Sequence, residues 1–174
     1  MFKLISKTIA AVAIVSVALF GSANAKTLKI ETHFTASSPN GEVAAQFAKN
    51  VEKFSGGSLK VEMFYSSSVT GKSAEVFNSA QTGIIDCDMT GAGYQTGKNA
   101  AFQFAGDVMG GYDNPYQQYE FLNFPGAQEA VDALYNKYGM TLIGWWIPGH
   151  ESLISSRPIP DVASLKDFKF RSPP

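Results

Sequence analysis

Apolar and polar positions along the chain fall into segments with two different periods, one of two residues and one near 3.6. Leu28 to Thr32 (LKIET) reads as a strand, and Ser37-Ser38-Pro39-Asn40 then punctuates the chain and can cap a helix. From Gly41 to Phe54, Val43, Phe47, Val51 and Phe54 recur at intervals of four, four and three, which predicts one apolar face of a helix. Gly56-Gly57 stops it. Leu59 to Phe64 (LKVEMF) predicts a second strand, Ser73 to Thr82 a short helix closed by Gly83, and Ile84 to Met89 (IIDCDM) a third strand. A β-α-β-α-β order implies an α/β fold with a mainly parallel sheet.

Beyond the glycine-rich stretch Thr90 to Lys98 the pattern becomes helical again. Asn114-Pro115 opens a helix through about Leu122, and Phe124-Pro125-Gly126 breaks it. Ala127 to Tyr138 predicts another, with Ala130, Leu134 and Tyr138 on one side and Gly139 at its end. Met140 to Ile147 (MTLIGWWI) reads as a buried strand, and Glu151 to Ser155 and Phe168 to Arg171 as short ones. The chain stops at Arg171-Ser172-Pro173-Pro174, directly after a predicted strand with no crossover to cover it, so the sequence reads as truncated.

The first 25 residues have a separate character. Lys3 and Lys7 precede an apolar run from Thr8 to Phe20, followed by Ala23-Asn24-Ala25. This is the layout of a secretory signal peptide cleaved after Ala25. Thirteen residues span about 20 Å as a helix, short of the ~30 Å hydrocarbon core. Export with a single cysteine, Cys87, fits a periplasmic location and excludes an intrachain disulfide framework. Without the two lysines of the signal segment, 12 basic residues face 15 acidic ones, a net charge of −3 that argues against a nucleic-acid partner.

Candidate chemistry is sparse. Gly91-Ala92-Gly93-Tyr94-Gln95-Thr96-Gly97 follows a strand, but its spacing is G-x-G-x-x-x-G rather than the dinucleotide fingerprint. It is a candidate ligand loop at the carboxyl end of a parallel strand, with Tyr94 as its only large side chain. Asp86 and Asp88 share a strand face, as an acid/base pair or as solvated and capping acids. The only histidines, His33 and His150, both sit just past predicted strands; neither belongs to a zinc motif, and no nucleophile motif accompanies them. Of the two arginines, Arg157 lies in a polar turn. Arg171 ends the alternating run Phe168-Lys169-Phe170-Arg171, where it is either an edge cation or a guanidinium facing a cleft, able to grip a carboxylate with two parallel bonds.

Together these segments resemble the solute-binding proteins of tripartite ATP-independent periplasmic (TRAP) transporters. The resemblance is carried by the LKI strand and its Ser-Ser-Pro loop, Phe54-Ser55-Gly56-Gly57, Ser66-Ser67-Ser68-Val69-Thr70-Gly71 and Gln81-Thr82-Gly83-Ile84-Ile85-Asp86. Tyr94-Gln95-Thr96-Gly97-Lys98 and, most specifically, Ser156-Arg157-Pro158-Ile159 with Ser164 through Arg171 complete it. Gly93 to Phe102 looks closest to the α-keto-acid-binding branch. The resemblance implies a two-lobe periplasmic binding protein fold, with residues 26–147 similar to most of the first lobe and 148–174 to the opening of the second. It implies Arg171 as the anchor of a substrate carboxylate, His150 where keto-acid binders carry a ligand-touching glutamine, and His33 and Tyr94 facing the cleft. The implied function is capture of a small organic acid for the membrane subunits of an ion-driven transporter, with no enzymatic step, cofactor or ATP. The alternatives are the binding component of an ATP-driven transporter and an exported hydrolase using His150 with Asp86 or Asp88.

Overall fold

A computed structural model describes residues 25–106, 108, 111–147 and 152–171. The predicted signal segment up to Asn24 and the predicted site residue His150 lie outside the described residues.

Three strands, β1 (Lys26–Thr32), β2 (Leu59–Phe64) and β3 (Cys87–Met89), form a parallel sheet in the order β2-β1-β3. Lys26 pairs with Leu59 and Glu31 with Phe64 on one side of β1, and Ile30 pairs with Cys87 and Glu31 with Asp88 on the other. Helix α1 (Pro39–Phe54) connects β1 to β2, and helix α2 (Val76–Gln81), entered through a 3₁₀ turn at Ser73–Glu75, connects β2 to β3. The two crossovers run in opposite directions across the sheet, and the right-handed rule for such connections puts α1 and α2 on opposite faces of it.

Helix α1 starts where Ser38 accepts the Gly41 N–H at 3.1 Å, with Pro39 in the first turn. Its buried positions are Gly41, Ala44 and Ala48, whereas Val43 and Phe54 are exposed. The expected face of Val43, Phe47, Val51 and Phe54 is therefore inward only in part: Phe47 and Val51 are half-buried, and the fully buried positions are the small residues. A Cβ on Gly41 would land on the Thr35 carbonyl oxygen, so this turn closes only without a side chain.

β3 is shorter than expected because its predicted first half is diverted. Asp86 accepts the Lys29 N–H through its carboxylate at 2.8 Å while its own N–H donates to the Lys29 carbonyl, so a side chain does the work of a ladder partner. Helices α3 (Pro115–Asn123) and α4 (Pro125–Asn136) follow. Asn114 caps α3, and Pro125, expected to break the chain, instead occupies the first turn of α4. In α4, Val131 and Leu134 are buried and Ala130 is exposed.

A core cluster joins Phe77 of α2, Ala92, Phe102 and Leu134 of α4. Phe102 meets Phe77 edge-on at 5.8 Å and Tyr135 at 5.2 Å, the offset geometry that aromatic quadrupoles favour.

The strands expected at Met140–Ile147, Glu151–Ser155 and Phe168–Arg171 do not form among the described residues. A strand needs a neighbour to complete its ladder, and the described residues place none beside these segments. Ile143 is 72% exposed, which corrects the buried reading of that stretch.

Candidate functional site

β1 sends its crossover toward β2, away from β3. This leaves a crevice beyond the carboxyl ends of β1 and β3, the position at which open α/β sheets bind ligands. A cavity of about 800 Å³ lies there, and His33, Asp88, Tyr94, Trp146 and Arg171 are among its lining residues.

The end of β1 beneath the cavity is held by the loop that leaves β2. Ser66 and Ser67 adopt left-handed backbone at φ 57° and 52°. Their N–H groups donate to the carbonyls of Phe34 and Thr32, at 2.9 and 3.1 Å. The same loop turns the N–H groups of Val69 and Thr70 onto Oε1 of the fully buried Glu31, at 2.6 and 3.3 Å. Glu31 Oε2 is buried with no partner among the described residues. The end of β1 is thereby pinned, and His33 and Phe34 project from a fixed stem.

The His33 ring lies 3.9 Å from that of Phe34 and meets Tyr94 edge-on at 5.5 Å; Phe34 in turn lies 5.7 Å from Trp146. Burial, reinforced by the charge of Arg171, lowers the His33 pKa below its ordinary value of 6.5, so its ring is neutral at pH 7. His33 Nδ1 is buried without a hydrogen-bond partner among the described residues. A neutral imidazole has one donor and one acceptor nitrogen, so the ring can still bond to an incoming group.

Asp88 supplies the second buried polar group. Its Oδ1 accepts the Thr90 hydroxyl at 2.7 Å, and its register partner on β1 is Glu31. Burial pushes the Asp88 pKa up to about 6, with Glu31 adding to the rise and the bonds from Thr90 opposing it. Burial and the nearby Asp88 also raise the pKa of the Tyr135 phenol, another lining residue. Asp86 lines the cavity but is exposed and engaged by the Lys29 N–H. The Cys87 thiol is half-buried and raised chiefly by burial, the behaviour of a small structural residue.

The predicted residues His33, Tyr94 and Arg171 thus come together around one cavity although 138 positions separate the first from the last. Arg171 does so from irregular chain rather than from a strand end. Arg157 does not line it, and its guanidinium lies over the Phe168 ring at 4.7 Å. Sequence reasoning missed Phe34 and Trp146, which complete the aromatic wall; the available signal was an aromatic beside His33 at a strand end. No group of three or more His, Cys, Asp or Glu side chains suited to a metal ion occurs among the described residues.

The profile of the family described as bacterial extracellular solute-binding protein, family 7, matches residues 30–174. Among solved structures, the chain is similar to a TRAP periplasmic solute-binding protein from Rhodobacter sphaeroides in an apo open state. The identity is 26% and the TM-score 0.63, over 68% of this chain and 37% of that one. A TRAP periplasmic solute-binding protein from Pseudoalteromonas atlantica with bound sodium and pyruvate matches at 20% identity and a TM-score of 0.61, over 67% of this chain and 35% of that one. One from Colwellia psychrerythraea with bound calcium and pyruvate matches at 21% and 0.60, with the same two coverages. The last two likenesses show a shared fold alone. The chain spans little more than a third of the length of these structures.

Proposed function

The chain belongs to the bacterial extracellular solute-binding protein family 7, and from that premise we propose that it captures a small organic acid for a TRAP-type transporter. The observation that carries the substrate class is one cavity at the carboxyl ends of β1 and β3 that combines an arginine, a buried neutral histidine and aromatic walls. In this reading residues 26–147 belong to the first lobe and residues 148–174 open the second, so that Arg171 meets the ligand from across the cleft. The protein works in the periplasm after loss of its first 25 residues and delivers the acid to membrane subunits.

Arg171 binds the carboxylate with its planar fork, and His33, Tyr94 and, by the resemblance, His150 contact the remainder of the ligand. Two charge-assisted bonds to one arginine supply about 3–6 kcal/mol, whereas micromolar affinity needs about 8.2. The faces of Phe34, Tyr94 and Trp146 and exclusion of water supply the difference. The likeness of Gly93 to Phe102 to the α-keto-acid-binding branch favours a keto acid as the ligand. Calorimetry of the full chain against organic acids, sugars and amino acids tests the reading. Micromolar or tighter binding of a carboxylate is expected, and binding of a neutral sugar with no response to any acid would overturn it.

A further inference from the structure

Charge is distributed unevenly around the cavity. Arg171 is the one cation among the described residues that line it, and His33 is held neutral by burial. Against that single cation stand two acidic side chains in the lining, Asp86 and Asp88. Asp86 is exposed and its carboxylate is occupied by the Lys29 N–H, so water and a backbone donor screen it. Asp88 keeps only the second: bonds from the hydroxyl and the backbone of Thr90 reach its carboxylate, but little water does. Its side chain is largely withdrawn from water, one oxygen is taken by Thr90, and Glu31 lies beside it on β1. Glu31 is fully buried and carries an unpartnered Oε2 among the described residues, so the ground behind Asp88 is also acidic.

A ligand with one carboxylate satisfies Arg171 and meets no opposing demand. A second carboxylate would have no cation among the described lining residues and would approach Asp88 in a medium that screens poorly. A neutral carbonyl or hydroxyl suits the same ground, because His33 Nδ1 is buried and unpartnered among the described residues and can donate or accept.

Resting on the organic-acid reading above, we infer that this cavity selects a monocarboxylate bearing a neutral polar group over a dicarboxylate, and that Asp88 is the residue that discriminates. The selection is by repulsion as much as by attraction.

The test is calorimetry of the full chain at pH 8, where Asp88 is ionised, with pyruvate, lactate and propionate against malonate, succinate and malate. The best monocarboxylate should bind at least about tenfold more tightly than the best dicarboxylate, a factor equal to about 1.4 kcal/mol. Asp88→Asn keeps the size of the side chain and an oxygen for Thr90, and should lower that ratio about tenfold by improving dicarboxylate binding. A dicarboxylate that binds the parent chain as tightly as any monocarboxylate overturns the inference and leaves the organic-acid reading standing. An unchanged ratio in a folded Asp88→Asn variant removes Asp88 from the selection. Failure of every acid to bind overturns the organic-acid reading itself.

Discussion

Replacing Asp88 by Asn should make the folded protein more stable at neutral pH, by an amount that grows as pH rises. The Asp88 carboxyl is raised from 3.8 to about 6 by burial, so between these values the folded chain binds more protons than the unfolded one. A group of this kind supports folding at low pH, and the support is lost as pH rises through the folded pKa. At about 1.36 kcal/mol per unit, a rise of roughly two units leaves the ionised form about 3 kcal/mol dearer in the folded chain than in the unfolded one. About 2 of those 3 kcal/mol develop between pH 4.5 and 7.5. Asn does not titrate, so the stability difference between variant and parent should widen by about 2 kcal/mol across that interval. Titrating groups that do not sense the Asp88 charge act on both proteins alike and cancel from the difference. Urea unfolding followed by circular dichroism at the two pH values measures it. A difference that stays constant or narrows as pH rises would show that Asp88 is not held in a desolvated site.

Three further outcomes follow from the same geometry. Arg171→Lys should weaken carboxylate binding about 10- to 150-fold, because an ammonium cannot reproduce the two-point fork, and a change under threefold in calorimetry would rule Arg171 out as anchor. Gly41→Ala should destabilise by about 1–3 kcal/mol, since its Cβ meets the Thr35 carbonyl at the start of α1; an unchanged urea midpoint would contradict that contact. The lowered pKa of His33 means the folded state resists protonation, so its contribution is intact above about 6.5 and is lost on acidification below that value. His33→Gln should therefore flatten the fall in stability between about pH 6.5 and 5, and an identical fall in both proteins would count against a buried imidazole.

The first half of the fold was legible because its elements are short, periodic and separated by glycines. The face of α1 is legible only in part, because periodicity weighs large residues: Phe47 and Val51 are half-buried, but the helix approaches most closely through Gly41, Ala44 and Ala48. The later strands were misread because an apolar run such as MTLIGWWI has strand character only where a partner lies alongside, and partners are not encoded locally. For the site, strand-end position was enough to nominate His33 and Tyr94. The state of Asp88 was not readable, since its burial comes from residues distant in sequence: Glu31 is 57 positions earlier, and Tyr135 and Trp146 line the cavity from far downstream.

Trp145 and Trp146 are the only tryptophans in the chain, and both line the cavity, the second against Phe34. All indole emission from this protein therefore originates in the wall of one cavity, within reach of whatever enters it. Intrinsic fluorescence becomes a site-specific signal without any label. Its spectral position reports the wetness of the cavity rather than an average over the molecule, and a solute that displaces water there should shift it toward the blue.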